Sequence, residues 1–338
     1  MAGLLSTESD RSRRTALILV HGRGFKPAKA DLQRLWIDAL AAGLRRDRPD
    51  ALAAFGRLAT ELVYYGGESA TVLNGAGRQH DPALDLADLE NTLVRLTAIE
   101  KTKQFRREHY ERLPGKTPLK EFLADIGAPA LSLVGLADRA IAHYLPELAS
   151  YWRADRGGLG AAADRVVDAL VRAFERDDDV VLVSHCIGSV LAYDALWALS
   201  RGAAGDGRYA DKKVKLWLTL GSPLGDESVK RHLRGAGEGN ARRYPGNVVN
   251  WLNIAAEDDF LCHDRAVAND YRAMLALRLA SRIEDASIYN MALRYGRSNP
   301  HNVLGYLVHP RVARALAEAL GVGSSGSDSS APTGPDAS

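Results

Sequence analysis

Cysteine is nearly missing from this chain of 338 residues, which has only Cys186 and Cys262. Two such residues build no disulfide framework, and their separation supplies no zinc-ligand spacing. A surplus of one charge is missing too. The formal net charge is +2, so nothing demands a polyanionic partner, and no nucleic-acid binding is expected. No apolar run approaches the roughly 20 residues of a bilayer-spanning helix, so no integral membrane segment is expected. The stretch Met1 to Arg14 is polar and lacks the apolar core of a secretory signal. No internal repeat is visible. What remains is a soluble globular composition with reduced thiols, expected in the cytoplasm, and long enough for a sizeable core.

What is present centres on Val180-Val-Leu-Val-Ser-His-Cys-Ile-Gly-Ser-Val-Leu-Ala-Tyr-Asp194. Four apolar residues end abruptly in Ser184-His185-Cys186-Ile187-Gly188. Apolar positions at helical spacing follow at Val190, Leu191, Ala195, Leu196 and Leu199. A buried strand, a tight turn and a helix is the local reading, the layout that lifts one reactive side chain above the carboxyl edge of a parallel sheet. The usual pattern is Gly-x-Ser-x-Gly. Here Ser184 takes the first place and Cys186 the centre.

Other segments supply the rest of an α/β alternation. Thr15-Ala-Leu-Ile-Leu-Val20 reads as a buried strand that breaks into His21-Gly22-Arg23-Gly24. A helix is predicted over about 30–44, and a second strand over Leu62-Val-Tyr-Tyr65 with an exit turn at Gly66-Gly67. From about 67 to 152 the rhythm lapses into helical stretches, Asp85 to Lys103 and Leu119 to Trp152. These form either a helical cap inserted over a pocket, the favoured reading, or extra helices on the sheet's flank. A membrane-surface helix fits less well, because its polar face is not notably basic. The rhythm resumes with a helix over 161–176 and strands at Val214 to Leu220 and Val248 to Ala255. Beyond those the chain reads as mostly helical, ending in a helix from Pro310 to Leu320. The Gly/Ser/Pro-rich stretch 321–338 is expected to be a disordered tail.

Three polar sites fall at strand or loop ends in the order Cys186, Asp258 or Asp259, then His301. With the matching segments Leu17-Ile-Leu-Val-His-Gly22, Val181 to Asp194, Leu218 to Leu224, Trp251 to Asp259 and His301 to Pro310, the chain resembles the α/β-hydrolase superfamily, above all its lipase-like and serine-esterase-like branch. The resemblance covers the sheet-bearing parts of 15–320 but not the 67–152 insertion. It implies an α/β-hydrolase fold, a mostly parallel central sheet flanked by helices, and a nucleophile, acid and histidine in that chain order. Common members carry Gly-His-Ser-Leu-Gly-Ser at the elbow, so Ser184 and Cys186 are departures. A cysteine nucleophile does occur in relatives resembling dienelactone hydrolase.

On this reading Cys186 attacks a carbonyl carbon, His301 relays the proton and Asp259 orients the imidazole, with Asp258 as the alternative acid. Asp259 is the first choice because two apolar residues, Phe260 and Leu261, follow it. Backbone N–H groups of Ile187 and of Arg23 or Gly24 would hold the oxyanion. The expected reaction is hydrolysis of a carboxylic ester, thioester or lactone through a thioester acyl-enzyme, without metal or cofactor. The expected partner is a small acyl substrate, for which the apolar insertion hints at a greasy chain. A non-catalytic binding or interaction module on the same fold, using the insertion and the basic loop Arg231 to Arg243, is the alternative. His309 is expected to cap or pack beside the last helix, and His185 and His21 to be structural. Cys262 reads as a small buried residue, with a redox pairing to Cys186 as its rival.

Overall fold

The computed structural model describes residues 13–115, 145–153, 158–262 and 266–322. Most of the polar leader, most of the predicted helical stretch 119–152 and nearly all of the predicted tail lie outside these residues. Six strands pair in parallel: β1 (Thr15–Val20), β2 (Ala59–Val63), β3 (Asp179–His185), β4 (Val214–Leu220), β5 (Val248–Ala256) and β6 (Arg282–Ile288). Their order is β2-β1-β3-β4-β5-β6. Sequence order reverses once, at β1, so the carboxyl ends of β1 and β3 flank the crevice where ligands bind in open α/β sheets.

Helices cover both faces of this sheet. The main ones are α1 (Lys29–Asp47), α2 (Gly66–Gly75), α3 (Pro82–Thr97), α4 (Pro146–Arg153), α5 (Ala162–Glu175), α6 (Ile187–Ser200), α7 (Val303–Leu307) and α8 (Pro310–Ala319). Strand alternation sorts the core in two. Ile18, Val180, Leu182, Trp217 and Trp251 pack under α5 and α6, while Leu17, Leu19, Val181, Val183 and Leu218 pack under α1 and α8. Burial on both faces is why these strands are almost continuously apolar.

Polar groups inside the first layer pair across strands. Trp217 Nε1 donates to Ser184 Oγ at 2.9 Å, and Trp251 Nε1 donates to Thr219 Oγ1 at 3.0 Å. The Thr219 hydroxyl bonds Asn253 Oδ1 at 2.8 Å. The two indoles stack with centroids 4.4 Å apart. Ser184 is therefore more than a small residue in a crowded turn, since it accepts the proton of a buried indole.

Two sequence expectations are corrected. The second strand ends at Val63, and Gly66-Gly67 open α2 instead of forming an exit turn. A Cβ on Gly66 would collide with the Tyr64 ring, so the glycine lets the helix start against that side chain. The region after β5 is not mostly helical, because it holds β6 and a short antiparallel pair, Leu293–Arg294 with Arg297–Ser298. β6 is an edge strand with alternating exposure, buried at Ile283, Ala286 and Ile288, and its charged residues hide it from a search for apolar runs. His309 caps α8, its Nδ1 accepting from Arg311 N–H at 3.1 Å. Among the described residues no helix is long and apolar enough to cross a membrane.

Candidate functional site

The turns after β1 and β3 interlock at the reversal point. Cys186 stands between β3 and α6 at φ 53° and ψ −128°, a conformation costing about 1–3 kcal/mol for a non-glycine residue unless its surroundings impose it. The surroundings do so here. Cys186 N–H donates to Leu220 O at 3.0 Å, and its carbonyl accepts from Ser189 N–H at 2.9 Å. In the first turn of α6, a Cβ on Gly188 would lie 2.7 Å from Val20 O and closer still to His21 O. Only glycine lets the helix N-terminus press against the end of β1.

Asp259 and His301 meet beside this elbow. His301 Nδ1 lies 2.9 Å from Asp259 Oδ2 and 3.1 Å from Oδ1. Tyr306 Oη donates to Asp259 Oδ2 at 2.7 Å while accepting from Ala256 N–H at 2.9 Å. Leu261 N–H donates to Asp259 Oδ1 at 3.1 Å. Burial alone would raise the Asp259 pKa, but His301 and the hydrogen bonds from His301 and Tyr306 outweigh it and hold it down at about 2. With Nδ1–H bonded to the carboxylate, Nε2 is buried without an oxygen or nitrogen partner among the described residues. His301 also interacts with the Cys186 thiol, and with Nδ1 committed to Asp259 that leaves Nε2 for the sulfur.

Charge in this trio is coupled. Burial pushes the Cys186 thiol up, yet the His301 charge and hydrogen bond, with the Arg23 charge and backbone N–H, bring it below its ordinary value. Burial likewise opposes a charge on His301, but Asp259 and Cys186 raise it to about 10. Opposite shifts in two touching groups favour thiolate and imidazolium over thiol and imidazole. Cys262 behaves differently: burial and then Asp259 push its thiol well up. Both cysteines are free and buried.

The sequence candidates fall as follows. Cys186, Asp259 and His301 come together. Asp258 is turned to Tyr110, whose Oη donates to its Oδ2 at 3.1 Å. Arg23 presents its backbone N–H to the Cys186 sulfur, and Ile187 N–H, in the first turn of α6, has no intrahelical acceptor. Gly24 N–H is occupied by Glu147 Oε1 at 2.7 Å. His185 holds the histidine loop, its Nε2 3.1 Å from His301 O. His21 Nε2 accepts from Tyr65 N–H at 3.0 Å and its Nδ1 lies 2.9 Å from Gly22 O; burial, with Lys26, lowers its pKa to about 3 and keeps it neutral.

Four residues at the site were not anticipated: Tyr306, Gly221, Glu147 and Lys26. Gly221, at φ 52°, passes under the acid–histidine pair, and a Cβ there would stand 3.0 Å from Asp259 Oδ2 and 3.3 Å from His301 Nδ1. Its place at the abrupt end of β4, before Ser222-Pro223, is a signal that could have marked it. Glu147 sits in an otherwise apolar stretch and gives no such signal.

A cavity of about 580 Å³ borders the trio on the side of the Gly22–Pro27 turn, His301 and Leu261. Leu32, Trp36, Leu73 and Leu89 contribute apolar wall, and Arg23, Lys26, Arg78 and Arg294 contribute positive charge. Asp85, also on the wall, pairs with Arg294 at 3.1 Å. Cys186 itself has no exposed surface, and the groups against it, Gly22, Arg23 and His301, form the wall between thiol and cavity. Among the described residues no cluster of His, Cys, Asp or Glu could hold a metal ion.

No protein-family model matches this chain, and no curated protein matches it. Fold and site define the class by themselves: an α/β protein with a six-stranded parallel sheet. The particular features are a cysteine at a strained strand-turn-helix elbow and a buried Asp–His pair against it.

Proposed function

We propose that the chain is a hydrolase of the α/β-hydrolase fold, using Cys186, His301 and Asp259 to cleave a carboxylic ester, thioester or lactone. One observation carries this reading. Cys186 is held at positive φ beside a histidine whose Nδ1 is committed to Asp259 and whose buried Nε2 has no oxygen or nitrogen partner. A strained conformation that presents one side chain to an oriented base is expected of a nucleophile.

In the first half-reaction the Cys186 thiolate attacks the carbonyl carbon, forming the C–S bond and moving the π pair onto oxygen. Backbone N–H groups of Arg23 and Ile187 would receive that oxyanion. Collapse breaks the bond to the leaving group, which takes the proton from His301 Nε2. In the second half His301 removes a proton from water, the hydroxide adds to the thioester, and collapse expels the thiolate with release of the carboxylic acid. Asp259 keeps the imidazole in the right tautomer and balances its charge.

The 67–152 insertion supports a cap, since Leu73, Arg78, His80, Asp85 and Leu89 wall the cavity. The apolar part of that wall suits an acyl chain. One observation favours the second reading, a non-catalytic binding module: the lack of exposed surface on Cys186. A panel of p-nitrophenyl esters and acyl thioesters separates the two. The hydrolase reading expects turnover by the wild type that Cys186→Ala abolishes, with acylated Cys186 in the mass spectrum of the quenched reaction. Equal background rates for both proteins across the panel would favour the binding module.

A further inference from the structure

One peptide unit in the turn after β1 is held from both ends. Its carbonyl, on Arg23, accepts from Lys26 Nζ, and its N–H, on Gly24, donates to Glu147 Oε1 at 2.7 Å. Glu147 arrives from α4 and is fully buried. Its Oε2 is also buried and has no hydrogen-bond partner among the described residues. Burying a carboxylate with one oxygen unspent is costly, so the residue needs an explanation. The Lys26 ammonium, which feels the Glu147 charge, supplies the balancing charge. α4 is itself anchored, because Tyr151 Oη donates to Asp194 Oδ2 of α6 at 2.6 Å.

The clamp acts where the backbone is least constrained. Gly24 is at φ 91°, in a region where glycine turns a peptide over at little cost. Released, the Arg23–Gly24 peptide could present either its N–H or its carbonyl to the reaction centre. A carbonyl there would repel a developing oxyanion.

We propose that Glu147 and Lys26 are positioning residues that lock the Arg23–Gly24 peptide, leaving Arg23 N–H on the nucleophile and withholding Gly24 N–H from it. This rests on the hydrolase reading and deepens it. The oxyanion site then consists of Arg23 N–H and Ile187 N–H, and the insertion that carries Glu147 takes part in shaping it. Charged and titratable groups facing Lys26 are Glu147 on α4, Cys186 at the elbow, Arg23 in its own turn, Arg294 across the cavity, and the neutral His21 and His185. Burial lowers the Lys26 pKa to about 8, against the opposing pull of Glu147. The locked form therefore holds below about pH 8 and loosens as the ammonium is lost.

Two measurements test the clamp. The chain has four Arg-Gly pairs, so labelling arginine carbonyl carbon and glycine nitrogen leaves four amide signals, among them Gly24. Its amide proton should exchange slowly in the wild type and in Glu147→Gln, which keeps an acceptor, and quickly in Glu147→Ala. Equal exchange in the wild type and Glu147→Ala would overturn the clamp whether or not the protein is an enzyme. In the ester assay Glu147→Ala should lower kcat by about 10- to 100-fold with KM little changed, the scale of misplacing one oxyanion donor. Glu147→Gln should recover most of that loss but shift its alkaline limb to lower pH, and Lys26→Met should lose the limb near pH 8. Undiminished kcat in Glu147→Ala would also overturn the clamp. Absence of turnover in the wild type, with the Gly24 signal responding as stated, would instead count against the hydrolase reading.

Discussion

Replacing Asp259 by asparagine removes one oxygen's acceptor capacity from a buried group that accepts from three donors: His301 Nδ1, Tyr306 Oη and Leu261 N–H. If the amide oxygen stays on Leu261, the amide nitrogen faces His301, whose Nδ1 must then accept. The imidazole proton moves to Nε2, the atom needed to receive the thiol proton. If the amide flips, two N–H donors meet at Leu261, at a cost of about 1–3 kcal/mol. Either way the ion pair is lost and Cys186 returns toward an ordinary thiol of pKa ~8.5, about 3% ionised at pH 7. Against a fully formed thiolate that alone is a loss of up to roughly 30-fold. Losing an oriented general acid should bring the fall in kcat/KM to about 10²–10³, or roughly 3–4 kcal/mol of transition-state stabilisation. Because a free thiol of pKa ~8.5 ionises by itself as pH rises, from about 3% at pH 7 to about 75% at pH 9, the deficit should narrow by up to about 25-fold over that range. The assay is kcat/KM against pH for the wild type, Asp259→Asn and Asp258→Asn. Equal losses in the two variants, or a deficit for Asp259→Asn below threefold at pH 7, would refute this account of the carboxylate.

Further outcomes follow from the same contacts. Wild-type absorbance at 240 nm, less that of Cys186→Ala, should reveal thiolate below the ordinary thiol range, and His301→Gln should move that step to higher pH; a step in the ordinary range in both proteins would contradict the ion pair. Gly221→Ala places a methyl against Asp259 and His301 at a positive φ, so it should lower Tm by a few degrees through about 1–2 kcal/mol of backbone strain. Its kcat/KM should drop at least about tenfold, because the methyl presses on the acid–histidine pair; retention of full activity would show that the approach is looser. Burial raises Asp194 to about 6, although Tyr151 and Arg234 N–H partly offset it. A carboxylate raised in the folded state destabilises once ionised, a penalty absent below about pH 4 and complete above about pH 6, on the order of 3 kcal/mol. Asp194→Asn should therefore raise Tm at pH 8 and give little gain at pH 4; a drop at pH 8 equal to that at pH 4 would reject this sign.

Much of the fold was legible because four strands are buried on both faces and read as apolar runs ending in glycine or polar turns. β6 was not, since only three of its seven residues are buried. At the site, the chain order of Cys186, Asp259 and His301 was readable because each ends a strand or occupies a loop beyond one. Of the two adjacent carboxylates, Asp259 contacts His301 and Asp258 contacts Tyr110, a difference that adjacency in the sequence does not decide. Glu147 and Lys26 were opaque for a physical reason. Their roles exist only once α4 meets the β1 turn, a contact between residues 123 positions apart that no local pattern encodes.

The stacked pair Trp217 and Trp251 has a use beyond packing. One indole is bonded to Ser184, two residues before Cys186, and the other lies 4.4 Å away at an interplanar angle of 24°. Two aromatic chromophores so close and so fixed couple optically and should give a near-ultraviolet circular dichroism couplet. That signal is a built-in optical gauge of the elbow, readable in variants that turn over nothing and before any substrate is known.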